Sequence, residues 1–393
     1  MKFKFKYPLI ENPFSKSDLS AGRRVLSSGK ITMNKVTENF EKKFAKYLGV
    51  KYALMVNSGS SANLLAFFAL INPKLKNKIK SNSECLIPAI CWSTSLWPII
   101  QAGLKPKFVD VDLENFNINL EDLKRKITNK TKVILAVHVL GNSANMKELK
   151  KIVKKKKLIL IEDTCESLGS KYGGRYLGNF GRFGTFSFFV SHQISSGEGG
   201  MIVCNDLNDY KIIHSLRAHG WDRGLNKNKK NSFNFINSGF NLRPLDITAA
   251  IGLNQFKRLS KMIKIRAKNR SKIINSVRKS EKWSNQIDFL NPTKKVTPSW
   301  FGLPMLINKK FLFKKKRYLK YLNKNGIETR PIISGNFLNQ PVAKLYKLKK
   351  KNEYFKNADE IDKRGFFIGL QTKKIDQKTV KFLTNKLLNI KNV

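Results

Sequence analysis

Acidic residues are scarce in this sequence: 27 Asp and Glu stand against 76 Lys and Arg, a formal charge of +49. Such a balance ordinarily suggests nucleic acid, because clustered cations release counterions from phosphates. The excess here is nearly all lysine, 61 Lys against 15 Arg, spread in short runs such as Lys154 to Lys157 and Lys349 to Lys351. Specific phosphate recognition favours the arginine fork, so we read a solvated lysine surface and expect no nucleic-acid partner. Such a surface still attracts an anionic small substrate. Long apolar runs are missing too. Nothing approaches the roughly 18 to 20 uncharged residues of a membrane span, and "MKFKFKYPLIENP" lacks the apolar core of a signal peptide. A cytoplasmic protein with no membrane partner is expected. The four cysteines, Cys85, Cys91, Cys165 and Cys204, include no CxxC pair. That excludes a disulfide framework and a spaced metal site, leaving reduced thiols.

What is present is an alternating pattern. Strand-like runs at Tyr52 to Val56, Glu84 to Ile90, Pro106 to Asp112, Lys132 to Leu140, Leu158 to Asp163 and Gly184 to Phe189 are separated by amphipathic stretches such as "NMKELKKIVKKKK". This predicts an α/β fold with a mainly parallel sheet covered by helices on both faces. After Arg243 the spacing turns helical as far as Lys279, and beyond "FLNPTKKVTPSW" strands and helices alternate again. We expect a large α/β domain over residues 1–250, with an N-terminal arm, and a smaller α+β domain over 251–393.

In open α/β sheets ligands bind beyond the carboxyl ends of the strands. After the first run, "NSGSSANLL" offers Gly59 for close backbone approach and Ser58, Ser60 and Ser61 before a helix, which suits a phosphate or an ordinary serine cap. "CWSTS" places Trp92 where it either covers a flat ligand or joins the core. "EDTCES" brings Glu162, Asp163 and Glu166 to the end of a buried run, where a carboxylate needs a cation: a protonated ring nitrogen, or a core salt bridge. After "GTFSFF" come Ser187 and His192, then the tight turn "GEGG". A lone histidine is commonly structural. Yet no lysine occurs in the 39 positions from Tyr172 to Tyr210, where about six would fall by chance.

A phosphate cradle, an aromatic cover, a buried Asp and a residue after the next strand together resemble a pyridoxal phosphate (PLP) site of the aspartate aminotransferase fold. "NSGSSANLL", "EDTCESLGSKYGGRYLGNFGRFGTFSFF", "GEGGMIVCND", "RAHGWDR", "GFNLRPLDITAAIGLNQ" and "GIETRP" resemble the DegT/DnrJ/EryC1/StrS family over nearly the whole chain. In that family's transaminases a lysine at the position of His192 holds the cofactor covalently. The chain is most similar to the branch of nucleotide-sugar 3-dehydratases in which histidine replaces this lysine. The resemblance implies that Gly59, Ser60 and Ser187 bind the cofactor phosphate, that Asn241 reaches the phosphate of a neighbouring subunit, and that the active sites of a homodimer are shared. Trp92 would stack on the ring, Asp163 keep its nitrogen protonated, and Glu166 lie near its hydroxyl. Arg330 would anchor the carboxylate of L-glutamate, the amino donor that converts the cofactor to pyridoxamine 5'-phosphate. His219 would be a second acid, a sugar contact or a structural residue; His138 and His214 read as structural.

The implied substrate is a nucleotide-linked 4-keto-6-deoxy sugar, GDP-linked and of manno configuration. His192, unable to form a covalent tether, would move protons while the C3 hydroxyl leaves, giving a 4-keto-3,6-dideoxy sugar for surface polysaccharide (O-antigen) synthesis. A CDP-hexulose relative carries an iron–sulfur cluster on cysteines in the segment matching His214 to Asn241; this chain has none there, so no such cluster is expected. Asn34 stands where many members have glycine, and Asn tolerates a left-handed turn. Competing readings are an ordinary sugar aminotransferase, a cluster-free dehydratase of the CDP-linked sugar, and an inert scaffold or regulator of the same fold.

Overall fold

The apolar runs form the strands of one seven-stranded sheet in the computed structural model, which describes residues 5–11, 13–225, 233–350 and 352–393. In chain order the first nine strands are β1 (Tyr52–Val56), β2 (Glu84–Pro88), β3 (Lys105–Val109), β4 (Thr131–Val137), β5 (Ile159–Asp163), β6 (Lys171–Tyr172), β7 (Arg175–Tyr176), β8 (Phe183–Ser187) and β9 (Gly200–Cys204). The large sheet runs β1-β9-β8-β5-β4-β2-β3. Four of its pairs, β2 with β3 and β4, β4 with β5, and β5 with β8, are parallel. β9, which the sequence pattern did not mark, enters antiparallel between β1 and β8.

Both faces of this sheet are covered, which is why its strands read as continuous apolar runs. Along β4, Val133, Leu135 and Val137 join one apolar cluster while Ile134 and Ala136 join another on the opposite face. The helix Gly59–Leu70, almost wholly buried, packs on β8 and β9.

The helical run after Arg243 divides into Asp246–Phe256 and Leu259–Arg278. The first crosses residue 250 and packs on the N-terminal helices Lys16–Ser27 and Lys35–Leu48. The remaining strands are β10 (Ile287–Phe289), β11 (Val296–Thr297), β12 (Gly302–Ile307), β13 (Thr329–Arg330) and β14 (Gly365–Gly369). An antiparallel sheet in the order β10-β12-β14-β13 lies wholly beyond residue 286, whereas β11 pairs back onto β6 and so ties the chain near residue 296 to the loop after β5. The N-terminal arm is fixed by a bridge between Tyr7 and Ile327. Apolar side chains of both sheets share one cluster. No described helix is long and apolar enough to cross a membrane.

Candidate cofactor and active site

Register brings the first part of the site together. Asp163, the last residue of β5, lies opposite Val137 of β4 and Thr185 of β8. Its carboxylate accepts hydrogen bonds from Ser95 Oγ at 2.7 Å, Asn63 Nδ2 at 2.9 Å and the Cys165 N–H at 3.2 Å. Thr185 Oγ1 donates to Asn63 Oδ1 at 2.6 Å, fixing that amide so that its nitrogen faces Asp163. Asp163 is only 5% exposed, yet all three donors are neutral. A buried carboxylate without a cation is costly, so a cationic partner would stabilise this arrangement.

Beside it, the helix Gly59–Leu70 starts against the end of β8. Ser58 caps the helix by accepting from the Ser61 N–H at 3.1 Å, leaving first-turn N–H groups of the kind that bind anions. A β-carbon on Gly59 would lie 2.6 Å from the Ser187 β-carbon and 3.0 Å from Cys165 Sγ. Gly59 and Ser187 therefore lie side by side, with the exposed Ser60 next in the helix. Ser60 Oγ donates to Thr94 Oγ1 at 2.9 Å, which links this corner to the loop bearing Trp92. Trp92 is not a core residue: 57% of it is exposed, at the N-terminus of the helix Ser93–Gln101. A buried carboxylate, a cradle closed by a glycine and an uncovered indole fit PLP.

His192 follows in the turn after β8, its ring held edge-on between Phe189 and Phe301 with centroids 6.2 and 5.3 Å away. Burial lowers its pKa to about 4, the nearby Arg266 charge acting in the same direction and Asp163 against it. The imidazole is thus neutral near pH 7 and able to accept a proton. Glu166 shifts the opposite way, to about 7, chiefly through burial; the Leu140 N–H, 2.9 Å from Oε2, opposes the shift and the Asp163 charge adds to it.

The three carboxylates of "EDTCES" divide. Glu162 accepts His138 Nε2 at 3.0 Å and the N–H groups of Gly178, Phe180 and Gly181, and is fully buried. It holds the loop before β8, on the sheet face opposite to Asp163, as alternation along a strand requires. His214 packs against Tyr210 in the helix Leu207–Arg217.

Other expected residues stand apart. His219 is exposed in the left-handed region, φ 60°, and neighbours Asn241 through the bridge between Ala218 and Asn241. Asn241 is itself exposed, accepting only from Arg243 Nε at 3.1 Å among the described contacts. Arg330 on β13 pairs with Glu328 at 2.8 Å. It lies opposite Phe367, whose ring meets Phe301, the ring that holds His192. Asn34 needs no left-handed turn: its φ of −154° is extended backbone, and its N–H donates to Asp246 Oδ1 at 2.8 Å. Asp246 also takes the Thr37 N–H and hydroxyl, replacing the missing side-chain cap of that helix.

Residues 14–387 match the DegT/DnrJ/EryC1/StrS aminotransferase family. The chain is 40% identical over 375 residues to a GDP-4-keto-6-deoxy-D-mannose 3-dehydratase of Escherichia coli O55:H7, covering 92% of this chain and 95% of that one. A solved structure of the E. coli GDP-4-keto-6-deoxy-D-mannose 3-dehydratase with bound hydrated PLP superposes with a TM-score of 0.90 at 38% identity, over 98% of this chain and 99% of that one. Another, a GDP-4-keto-6-deoxymannose 3-dehydratase with a trapped PLP–glutamate geminal diamine, has a TM-score of 0.89 at 37% identity, over 97% and 100%.

Proposed function

The chain belongs to the DegT/DnrJ/EryC1/StrS aminotransferase family, and from that premise we propose that it is a PLP- and glutamate-dependent 3-dehydratase of GDP-linked 4-keto-6-deoxymannose. One observation carries the choice within the family. At the turn after β8, where a transaminase of the family keeps a lysine, the chain presents His192, while Asp163 and the Gly59–Ser187 cradle are retained. Retention of the cradle argues against an inert scaffold, and the missing lysine against an ordinary aminotransferase.

When bound, the cofactor supplies a carbonyl that takes up an amino group and a ring that draws off electrons. Everything else falls to side chains. Gly59, Ser60 and Ser187 hold the phosphate, Trp92 covers the ring, and Asp163, backed by Ser95 and Asn63, keeps a proton on the ring nitrogen. Glu166 serves the ring hydroxyl. Arg330 grips a carboxylate of glutamate. His192, neutral because it is buried, accepts a proton at its imidazole nitrogen and returns it to the departing C3 oxygen of the sugar. Oxygen lost from C3 is matched by the conversion of glutamate to 2-oxoglutarate and ammonia, so the overall reaction balances.

We further propose a cytoplasmic homodimer whose product serves surface polysaccharide synthesis. The exposed Asn241, outside the Asp163 cluster, supports a role at the phosphate site of a second copy, with His219 beside it at the sugar. The decisive assay is glutamate-dependent ammonia release with GDP- and CDP-linked 4-keto-6-deoxyhexoses. Release with the GDP-linked manno sugar, together with a 3-deoxy product, is expected. An amino sugar in place of ammonia would establish the aminotransferase reading, and preference for the CDP-linked sugar the other dehydratase.

A further inference from the structure

Arg330 already has a carboxylate on it. Glu328 Oε1 lies 2.8 Å from the guanidinium, and its other oxygen, Oε2, accepts the Leu9 N–H at 3.0 Å. The two side chains differ in access: Arg330 is 58% exposed and Glu328 only 14%. Backbone contacts hold Glu328 on the arm, because Tyr7 N–H donates to Gly326 O at 2.8 Å and Glu328 N–H to Tyr7 O at 3.0 Å. The arm passes so close to β14 that a β-carbon on Gly369 would lie 2.5 Å from Leu9 O. Glu328 is therefore fixed from behind, while the guanidinium in front is free to meet a ligand.

We propose that Glu328 is an internal competitor for Arg330 that keeps the hold on the donor carboxylate weak; this rests on the reading of Arg330 as the glutamate anchor. Two effects of an adjacent carboxylate oppose each other. Holding the guanidinium in one orientation favours binding, but only by the entropy of ordering a single exposed side chain. Repulsion between Glu328 and a second carboxylate on the same guanidinium, roughly 5 Å away in a half-exposed site, is worth on the order of a tenfold change in affinity, so repulsion wins. The consequence suits a site that must receive two different substrates in turn. A donor held weakly departs after giving up its nitrogen, and the sugar nucleotide enters a site not blocked by glutamate or 2-oxoglutarate.

The test uses the holoenzyme and glutarate, an unreactive dicarboxylate, in calorimetric titrations, with KM for glutamate and glutamate inhibition of the sugar reaction measured alongside. Glu328→Gln keeps an amide oxygen for the Leu9 N–H, so the arm stays docked, and it is expected to bind glutarate about tenfold more tightly. Its KM for glutamate should fall in parallel, and glutamate should become inhibitory toward the sugar. Glu328→Asp, retaining the charge, should leave glutarate binding near the parental level. Parental or weaker glutarate binding by Glu328→Gln, with Arg330→Gln still losing the ligand, would overturn the competition alone. If Arg330→Gln binds glutarate as the parent does, the anchor reading and the competition both fall.

Discussion

Gly59 and Ser187 stand so close that a β-carbon on the first would meet the β-carbon of the second at 2.6 Å and its α-carbon at 3.1 Å. Neither neighbour is the end of a flexible side chain, so a methyl group there forces the helix start away from β8. Gly59→Ala should therefore cost cofactor binding rather than folding. Misplacing binding groups by on the order of 1 Å costs up to about a hundredfold in function, and a rise of at least about tenfold in the Kd for PLP is expected by absorbance titration. An unchanged Kd would mean that the phosphate lies elsewhere.

His192→Lys tests the feature that separates the two reactions of the family. The introduced amine can attach covalently to the cofactor carbonyl, which imidazole cannot. Borohydride treatment should then leave a pyridoxyl mass on the introduced residue, and 3-deoxygenation should fall by about 10²- to 10⁴-fold, the usual worth of a positioned acid–base group. A variant that still dehydrates at the parental rate would remove His192 from the reaction.

The large sheet was legible because its strands are buried on both faces and so appear as uninterrupted apolar runs. β9 escaped because it begins at Gly200, inside the glycine-rich turn, and β14 because Phe366, Phe367 and Ile368 lie between two glycines. The helical run after Arg243 carries neither Pro nor Gly at Lys257 or Arg258, so nothing local announced the break there. Within the site, residues that touch a ligand could be picked out by their place after a strand. Residues that orient them could not: Ser95, Asn63 and Thr185 reach their partners across 68, 100 and 122 residues of chain. The geometry of Glu328 and Arg330 likewise depends on an arm that returns from the far end of the sequence.

Glu166 supplies a prediction in pH. Burial raises its folded pKa to about 7 from the ordinary 4.5, so between those values the folded chain binds more protons than the unfolded one. Stability from this group is fully present below about 4.5 and is lost as pH rises through 7. Glutamine mimics the protonated acid. Glu166→Gln should accordingly gain on the parent as pH rises from 5 to 8, by about 1–3 kcal/mol after allowance for partial exposure. Urea unfolding of the cofactor-free proteins at the two pH values measures it. A difference that stays constant would place the carboxyl of Glu166 in the ordinary range.

Glu162 and Asp163 are adjacent in sequence and opposite in consequence. Four donors converge on Glu162: one imidazole nitrogen of His138 and three backbone N–H groups of the loop at Gly178, Phe180 and Gly181. Glu162→Ala would leave those donors buried without an acceptor, and losses of this kind run to about 3–5 kcal/mol. Asp163→Ala removes a carboxylate that only neutral donors satisfy, and its folded state should lose less. The expected pattern is a crossed one: Glu162→Ala lowers the denaturant midpoint sharply while any folded fraction still binds PLP, and Asp163→Ala keeps most of the midpoint but loses the cofactor. Equal losses of stability in the two variants would mean that both carboxylates serve the fold, and the case for Asp163 as the partner of a ring nitrogen would fail.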